Sequence, residues 1–366
     1  MIHREAYIEN RRVLADSGEV TIDVSVRDPI TALWVELRAQ NGGTYNKASP
    51  LAACIDAVEL IDGSEVLVSM DGFEAFAVTA YFLGHIPYQL ICEEGSLYQN
   101  CFLCIPFGRF LGDVSYALDP TRFDNLQIRF KWNLAAVNAV GATGFLTGTG
   151  RLTVLADIME GASAPGAMLT YKEVYTFTTA ASGVTYIDLP TDRAHRSLYL
   201  RCHEAGVGAF GNLTYIKVSG DQDKVIPFNM ARTDFVRWLT TYYPPFHYKH
   251  NIVVANGNTA YFLLKQDEVV AYYPSTADTV CTGIVQGMGE EAIALYVAGS
   301  GSATNQSIMA LVHGWLPFGV AHVPWGNGQE PNSWLAAPSF RSLRLELTQG
   351  NADGTVAVVV EQERAY

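Results

Sequence analysis

Histidines are the residues through which this chain could most readily hold a metal, and eight of them stand at 3, 85, 195, 203, 247, 250, 313 and 322. The densest cluster is His247-Tyr-Lys-His250. On a strand its two imidazoles point to opposite faces, and Pro244-Pro245 directly before them argues against a helix that would bring them together. The His-x-His pair that would let adjoining strands share a metal with a carboxylate does not occur. Cys101-Phe-Leu-Cys104 has the spacing of a zinc site but lies in an apolar run, where a strand again separates the two thiols. Gly161-Ala-Ser-Ala is followed by Pro165, which breaks the strained turn that a hydrolase serine needs. Gly148-Thr-Gly150 and Gly299-Ser-Gly301 lack the later glycine or lysine of a phosphate loop. The carboxylate neighbours Glu93-Glu94, Asp267-Glu268 and Glu290-Glu291 do not converge on a strand or turn and read as solvated charges. These residues predict no enzyme, no catalytic or metal site and no cofactor.

The elements that would position side chains are mostly strands. Period-two alternation recurs from end to end: Ile22, Val24 and Val26; Leu33, Val35 and Leu37; Leu126, Ile128 and Phe130; Leu343, Leu345 and Leu347; Val356, Val358 and Val360. That is the pattern of sheets with one buried face. Helical spacing appears at three places. Ile2 to Leu14 reads as a short helix, Phe73 to Leu83 as a second, and Thr233 to Tyr243 as a third, capped by Thr233 or Asp234 and stopped at Pro244.

Composition excludes several classes. Of the 366 residues, 49% are hydrophobic and 17% charged, which rules out disorder. The net charge of -13 argues against gripping nucleic-acid phosphates, so no sequence-specific nucleic-acid binding is expected. The start Met1 to Leu14 has no apolar core of a secretory signal. The stretch Ala292 to Gln329 is free of Asp, Glu, Lys and Arg, but its Gly/Ser/Asn-rich middle reads as strand, loop and strand rather than a membrane span. Six cysteines in so long a chain do not make a disulfide framework, and reduced thiols with folding inside a cell follow.

The most informative feature is an internal repeat. The first copy runs Glu65-Val-Leu-Val-Ser-Met70, helix, Ile105-Pro-Phe-Gly108, Phe123-Asp-Asn-Leu-Gln-Ile-Arg-Phe130 and Arg151-Leu-Thr-Val-Leu155. The second runs Lys224-Val-Ile-Pro-Phe-Asn229, helix, Leu316-Pro-Phe-Gly319, Phe340-Arg-Ser-Leu-Arg-Leu-Glu-Leu347 and Thr355-Val-Ala-Val-Val-Val360. The expected fold is all-β: two eight-stranded jelly-roll sandwiches in tandem, each with one short helix between strands. The expected units are an N-terminal arm (1–18), a first jelly roll (19–163) and a second (164–366) with an inserted loop region at about 245–308. Gly161 to Gly166 is the turn-prone linker.

In this order of elements the chain resembles the double jelly-roll major capsid proteins of membrane-containing tailless phages, adenovirus and their relatives. Beside the repeat, Asp119-Pro120, Tyr186-Ile-Asp-Leu-Pro190, Ser197-Leu-Tyr-Leu-Arg201 and Leu213-Thr-Tyr-Ile-Lys217 carry the likeness. The resemblance implies homotrimers that form pseudo-hexameric capsomers of an icosahedral shell, often over an internal membrane. It also implies contacts with neighbouring capsomers, penton or minor capsid proteins and membrane lipids, and a place in the virion after synthesis in the host cytoplasm. The long interval before Leu316 matches outward tower loops. In the aromatic, charge-poor segment from Trp325 to Trp334, those two tryptophans are candidate subunit contacts. The alternatives are a receptor- or glycan-binding spike built from two sandwiches and, with fewer ligands to support it, a cupin-like metal enzyme.

Overall fold

The computed structural model describes residues 1–42, 50–87, 97–137, 144–204, 207–255, 259–263, 266–273, 283–287, 292–296 and 305–366. The first half contributes β1 (Ile2–Val13), β2 (Ser17–Asp23), β3 (Ile30–Gln40), β4 (Ile55–Asp62), β5 (Glu65–Met70), α1 (Gly72–Leu83), β6 (Tyr98–Pro106), β7 (Leu126–Asn133) and β8 (Arg151–Glu160). These make two facing sheets, β1-β8-β3-β6 and β2-β7-β4-β5. The second half contributes β9 (Ala167–Thr178), β10 (Gly183–Leu189), β11 (His195–His203), β12 (Leu213–Gly220), β13 (Val225–Ala231) and α2 (Arg232–Tyr242). After an insertion come β20 (Val320–Pro324), β21 (Leu343–Gln349) and β22 (Thr355–Ala365). Its sheets run β9-β22-β11-β20 and β10-β21-β12-β13. Counted within each half, both therefore read 1-8-3-6 over 2-7-4-5. This is the jelly-roll order written twice, with the helix in the same interval each time.

The insertion holds β14 (Phe246–Ala255), β15 (Thr259–Leu263), β16 (Gln266–Tyr273), β17 (Gly283–Gly287), β18 (Ala292–Tyr296) and β19 (Asn305–Pro317). They form two small sheets of their own, β14-β19-β16-β17 and β15-β18.

Alternation builds the sandwiches. On β3, Leu33, Val35 and Leu37 are fully buried while Trp34, Glu36 and Arg38 between them are half-buried. On β11 and β22 the outward residues are buried as well, because the first roll covers them. Tyr171, Tyr199, Phe318, Val320 and Val359 belong to the first roll's core cluster, whereas Leu198, Leu200, Val358 and Val360 face the second roll's own core. The two rolls are thus stitched by side chains. Among the described residues backbone joins them at two parallel bridges, Ser69 to Lys172, which links β5 to β9 and extends one sheet to eight strands, and Tyr116 to Ala167, with Leu169 N donating to Phe107 O at 2.9 Å close by.

Matching the ladders partner for partner fixes how the copies correspond. Leu33 lies opposite Ala156 and Leu198 opposite Val360, so β3 matches β11 and β8 matches β22. Trp34 lies opposite Cys104 and Tyr199 opposite His322, so β6 matches β20. This corrects the sequence alignment at one anchor. The counterpart of Ile105-Pro-Phe-Gly108 is Val323-Pro-Trp-Gly326, while Leu316-Pro-Phe-Gly319 forms the turn between β19 and β20, with Leu316 and Phe318 at positive φ.

Two further expectations change. Ile2 to Val13 is a strand, not a helix, and it pairs along β8 at the edge of the first sandwich. α2 starts at Arg232, with Ala231 at the N-cap and no side-chain cap, instead of starting from Thr233 or Asp234. α1 is fully capped: Asp71 accepts from Glu74 N, Glu74 accepts from Asp71 N, and Gly84 closes the helix at φ 73°. A side chain at Gly72 would meet Ala52 O at 2.1 Å, so only glycine lets the helix start this close to the short turn before β4.

Candidate assembly surface

The most built feature of the molecule is the seam between its rolls. α1 is buried over most of its length, and its outer row faces the second roll. Phe73 and Phe76 pack on Phe318 with ring centroids 5.0 and 4.8 Å away. Tyr81 donates to Val320 O at 3.0 Å and lies against Tyr243, His322 and Phe246 at 5.0, 5.2 and 5.5 Å. Arg201 donates to Phe318 O at 3.2 Å and places its guanidinium 4.3 Å above Phe73.

Under the seam lies a buried charge. Glu361 is fully buried and accepts from Tyr171 at 2.9 Å, from Arg196 at 2.5 Å and from Ser197. Burial alone would raise its carboxyl, but Arg196, His322 and the hydrogen bonds outweigh that, and the group is held below the usual carboxylate range. Burial drives the neighbouring His322 imidazole down to about 4. Tyr243 and His322 Nδ1 meet at 2.5 Å beside the start of the insertion. At the rim, Glu65 on β5 pairs with Arg364 at 2.9 Å and reaches Arg193 at 3.9 Å.

Among the described residues no further strand or helix covers the opposite side of the second roll. β13 pairs with β12 alone and β1 with β8 alone among the described residues. Val225 and Ile226 on β13 are 48% and 46% exposed, and Tyr7 on β1 is 62% exposed. α2 buries only Phe235 and Leu239 and turns Asp234, Arg237 and Thr241 to solvent. Open strand edges with apolar residues are templates for further pairing.

The residues singled out for chemistry scatter. Among the described residues no three His, Cys, Asp or Glu side chains gather as a metal group. His247 and His313 face each other across β14 and β19, with their Nδ1 atoms 2.5 Å apart, a proximity that spacing in the sequence does not reveal. The side chain of His250 lies outside the described residues, as do Glu93-Glu94, Glu290-Glu291 and Gly299 to Gly301. Cys101 and Cys104 are both buried but separate, the first beside Cys54 and the second near Asp157. Burial raises the Cys54 and Cys104 thiols far above their ordinary value. No helix among the described residues is long and apolar enough to cross a membrane.

Trp325 and Trp334 are 8% and 5% exposed, so little of either ring is left to touch a neighbour. Trp325 sits in the second roll's core, at the place that Phe107 takes in the first. Trp334 packs on Tyr116 at 5.8 Å and donates to Asn327 O at 3.1 Å, so it closes the contact between the two rolls instead.

Neither a protein-family model nor a curated protein sequence matches the chain. Solved structures do. The major capsid protein of Sulfolobus turreted icosahedral virus has a TM-score of 0.63 at 10% identity, over 100% of this chain and 97% of that one. VP54 of PBCV-1 gives 0.58 at 11% identity, over 99% and 93%. The major capsid protein P2 of bacteriophage PM2 gives 0.54 at 9% identity, over 100% and 98%. The chain therefore has the double jelly-roll fold of these viral major capsid proteins. At such identities the likeness is one of backbone architecture, shared end to end.

Proposed function

We propose that this chain is the major capsid protein of an icosahedral virus, a structural subunit without a catalytic role. Three copies form a capsomer whose six rolls give it a near-hexagonal outline, and capsomers tile the shell. The single observation that carries this reading is the repeated strand order: two rolls of identical topology, set side by side in one chain, provide near-sixfold walls from a threefold ring. End-to-end likeness to capsid proteins of three viruses supports it. The inserted sheets lie at the end of the second roll reached through α2 and β19, as an outward tower does. Neighbouring capsomers, penton or minor capsid proteins and the lipid of an internal membrane are the partners that follow. Synthesis in the host cytoplasm and residence in the virion follow likewise.

Sedimentation of the purified chain tests this directly. A species of three chains that yields hexagonal particles by negative-stain electron microscopy is the expected result. A monomer at every concentration, with no particles, overturns the proposal.

A further inference from the structure

We propose that His247 and His313, side by side at the root of the insertion, form a two-histidine site for a divalent transition metal of the Zn²⁺ and Cu²⁺ class. The site goes beyond the capsid reading above and does not depend on it.

The first ground is register. β14 and β19 run antiparallel, and His247 lies directly opposite His313 in their ladder. Residues so placed carry their side chains on one face with Cβ atoms about 5 Å apart, within reach of two imidazoles that share an ion. His247 is exposed and His313 half-buried, so the pair is open to solvent. Phe246 and Val312, the residues just before them, are buried and anchor both strands from the other face. Packing thus fixes the backbone beneath the pair while the rings stay accessible to an incoming ion.

The second ground is ring geometry. The imidazoles stand nearly perpendicular, at 85° with centroids 4.6 Å apart, and present Nδ1 to Nδ1 at 2.5 Å. One of these nitrogens donates its proton to the lone pair of the other, so both aim at the same small volume. Two bonds of about 2.1 Å at a tetrahedral angle set ligand nitrogens about 3.4 Å apart, and the rings reach that by parting roughly 1 Å. The donating ring then carries its proton on Nε2, exchanged through solvent, and both Nδ1 lone pairs face the ion. Each imidazole stays neutral with one proton, so none is released, and water fills the remaining positions. Imidazole nitrogen favours Zn²⁺, Cu²⁺ and Ni²⁺ over Mg²⁺ and Ca²⁺, which take oxygen. Lys249 shares the face two residues along, and its exposed, flexible stem lets the ammonium turn away.

Placement gives the site a purpose. His247 is the second residue of β14, and His313 stands near the close of β19, 66 residues on. An ion held there clips the first strand of the insertion to the last, where both join the second roll. A link across so long a span favours the closed ladder.

Isothermal titration calorimetry of the full chain with Zn²⁺, Cu²⁺ and Mg²⁺ salts in neutral buffer tests this, with circular-dichroism melts to show that each variant stays folded. One Zn²⁺ or one Cu²⁺ per chain is the expected result, copper the tighter, with no uptake of Mg²⁺. His247→Ala and His313→Ala should each weaken Zn²⁺ binding about tenfold or more, and the double variant should lose the site. His3→Ala, at an exposed histidine elsewhere, should leave it intact. A wild type that binds Zn²⁺ and Cu²⁺ no more tightly than the double variant overturns the proposal, and so does either single variant with wild-type affinity. Sedimentation decides the capsid reading, so the two can fail separately.

Discussion

α1 and α2 leave the same strand of the same fold, yet one is apolar all round and the other is amphipathic. α1 reads Gly-Phe-Glu-Ala-Phe-Ala-Val-Thr-Ala-Tyr-Phe-Leu and is pressed between its own β6 and the second roll, where Thr79 accepts from Cys104 N at 2.7 Å. α2 reads Arg-Thr-Asp-Phe-Val-Arg-Trp-Leu-Thr-Thr-Tyr and has one buried stripe, against its own roll. A helix hydrophobic on every side reports a covering on every side. The difference shows that the duplicated rolls have specialised. The first carries a helix packed between two rolls, and the second carries one that packs on its own roll and turns its polar face outward.

The comparison can be broken most sharply by placing the same charge on both helices. Ala77 is fully buried, and Ala77→Asp should cost about 5 kcal/mol by setting an unpaired carboxylate in the seam. Arg237→Asp, at the matching site on α2, should cost under about 0.5 kcal/mol, since the Arg237 side chain is 81% exposed. Urea melts of the two variants at low protein concentration give both values. Near-equal losses would contradict the description of α1 as sandwiched.

A middle-sized effect should come from acid. His322 titrates at about 4 in the folded chain because burial disfavours its charge, against about 6.5 when unfolded. Between those values the unfolded chain binds the extra proton, so stability is complete above pH 6.5 and falls by up to about 3 kcal/mol as pH drops towards 4. His195 is lowered to about 4 by burial as well and adds a loss of the same sign. His322→Gln should flatten part of this slope in melting temperature against pH. Its counterpart Cys104 does not titrate in that window, so the first roll's matching sheet lacks such a trigger.

The smallest effect separates the caps. Asp71→Ala should remove about 1 kcal/mol by breaking the reciprocal cap of α1. Ala231→Asp should stabilise the uncapped start of α2 by up to about 1 kcal/mol. Thermal melts of the paired variants read both signs.

Much of the architecture is legible in the sequence because buried faces write themselves as alternation. Leu33, Val35 and Leu37 or Val356, Val358 and Val360 could be assigned to strands without coordinates, and both helices stand within a residue or so of where spacing puts them. β1 was illegible for the same reason. It is an edge strand wet on nearly all of its residues, so no period of two survives in Ile2 to Val13. The repeat was legible in order but not in register. Residue identity drew Pro-Phe-Gly to a turn at Leu316, whereas the fold equates Phe107 with Trp325, two different rings filling one kind of hole. The contact role expected of Trp325 and Trp334 rested on composition, which cannot separate an aromatic turned to a neighbour from one turned inward, and in the fold both rings are largely buried within the chain.

The backbone links between the two rolls, Ser69 to Lys172, Tyr116 to Ala167 and Leu169 N to Phe107 O, are short and scattered. With no long ladder to splint the two halves, the angle between them is fixed by the rings and ions wedged at the seam. Exchanging a few of those groups for bulkier or smaller ones would tilt one half against the other without disturbing either. The pair of rolls is therefore a hinge whose setting is written in side chains, not in the backbone.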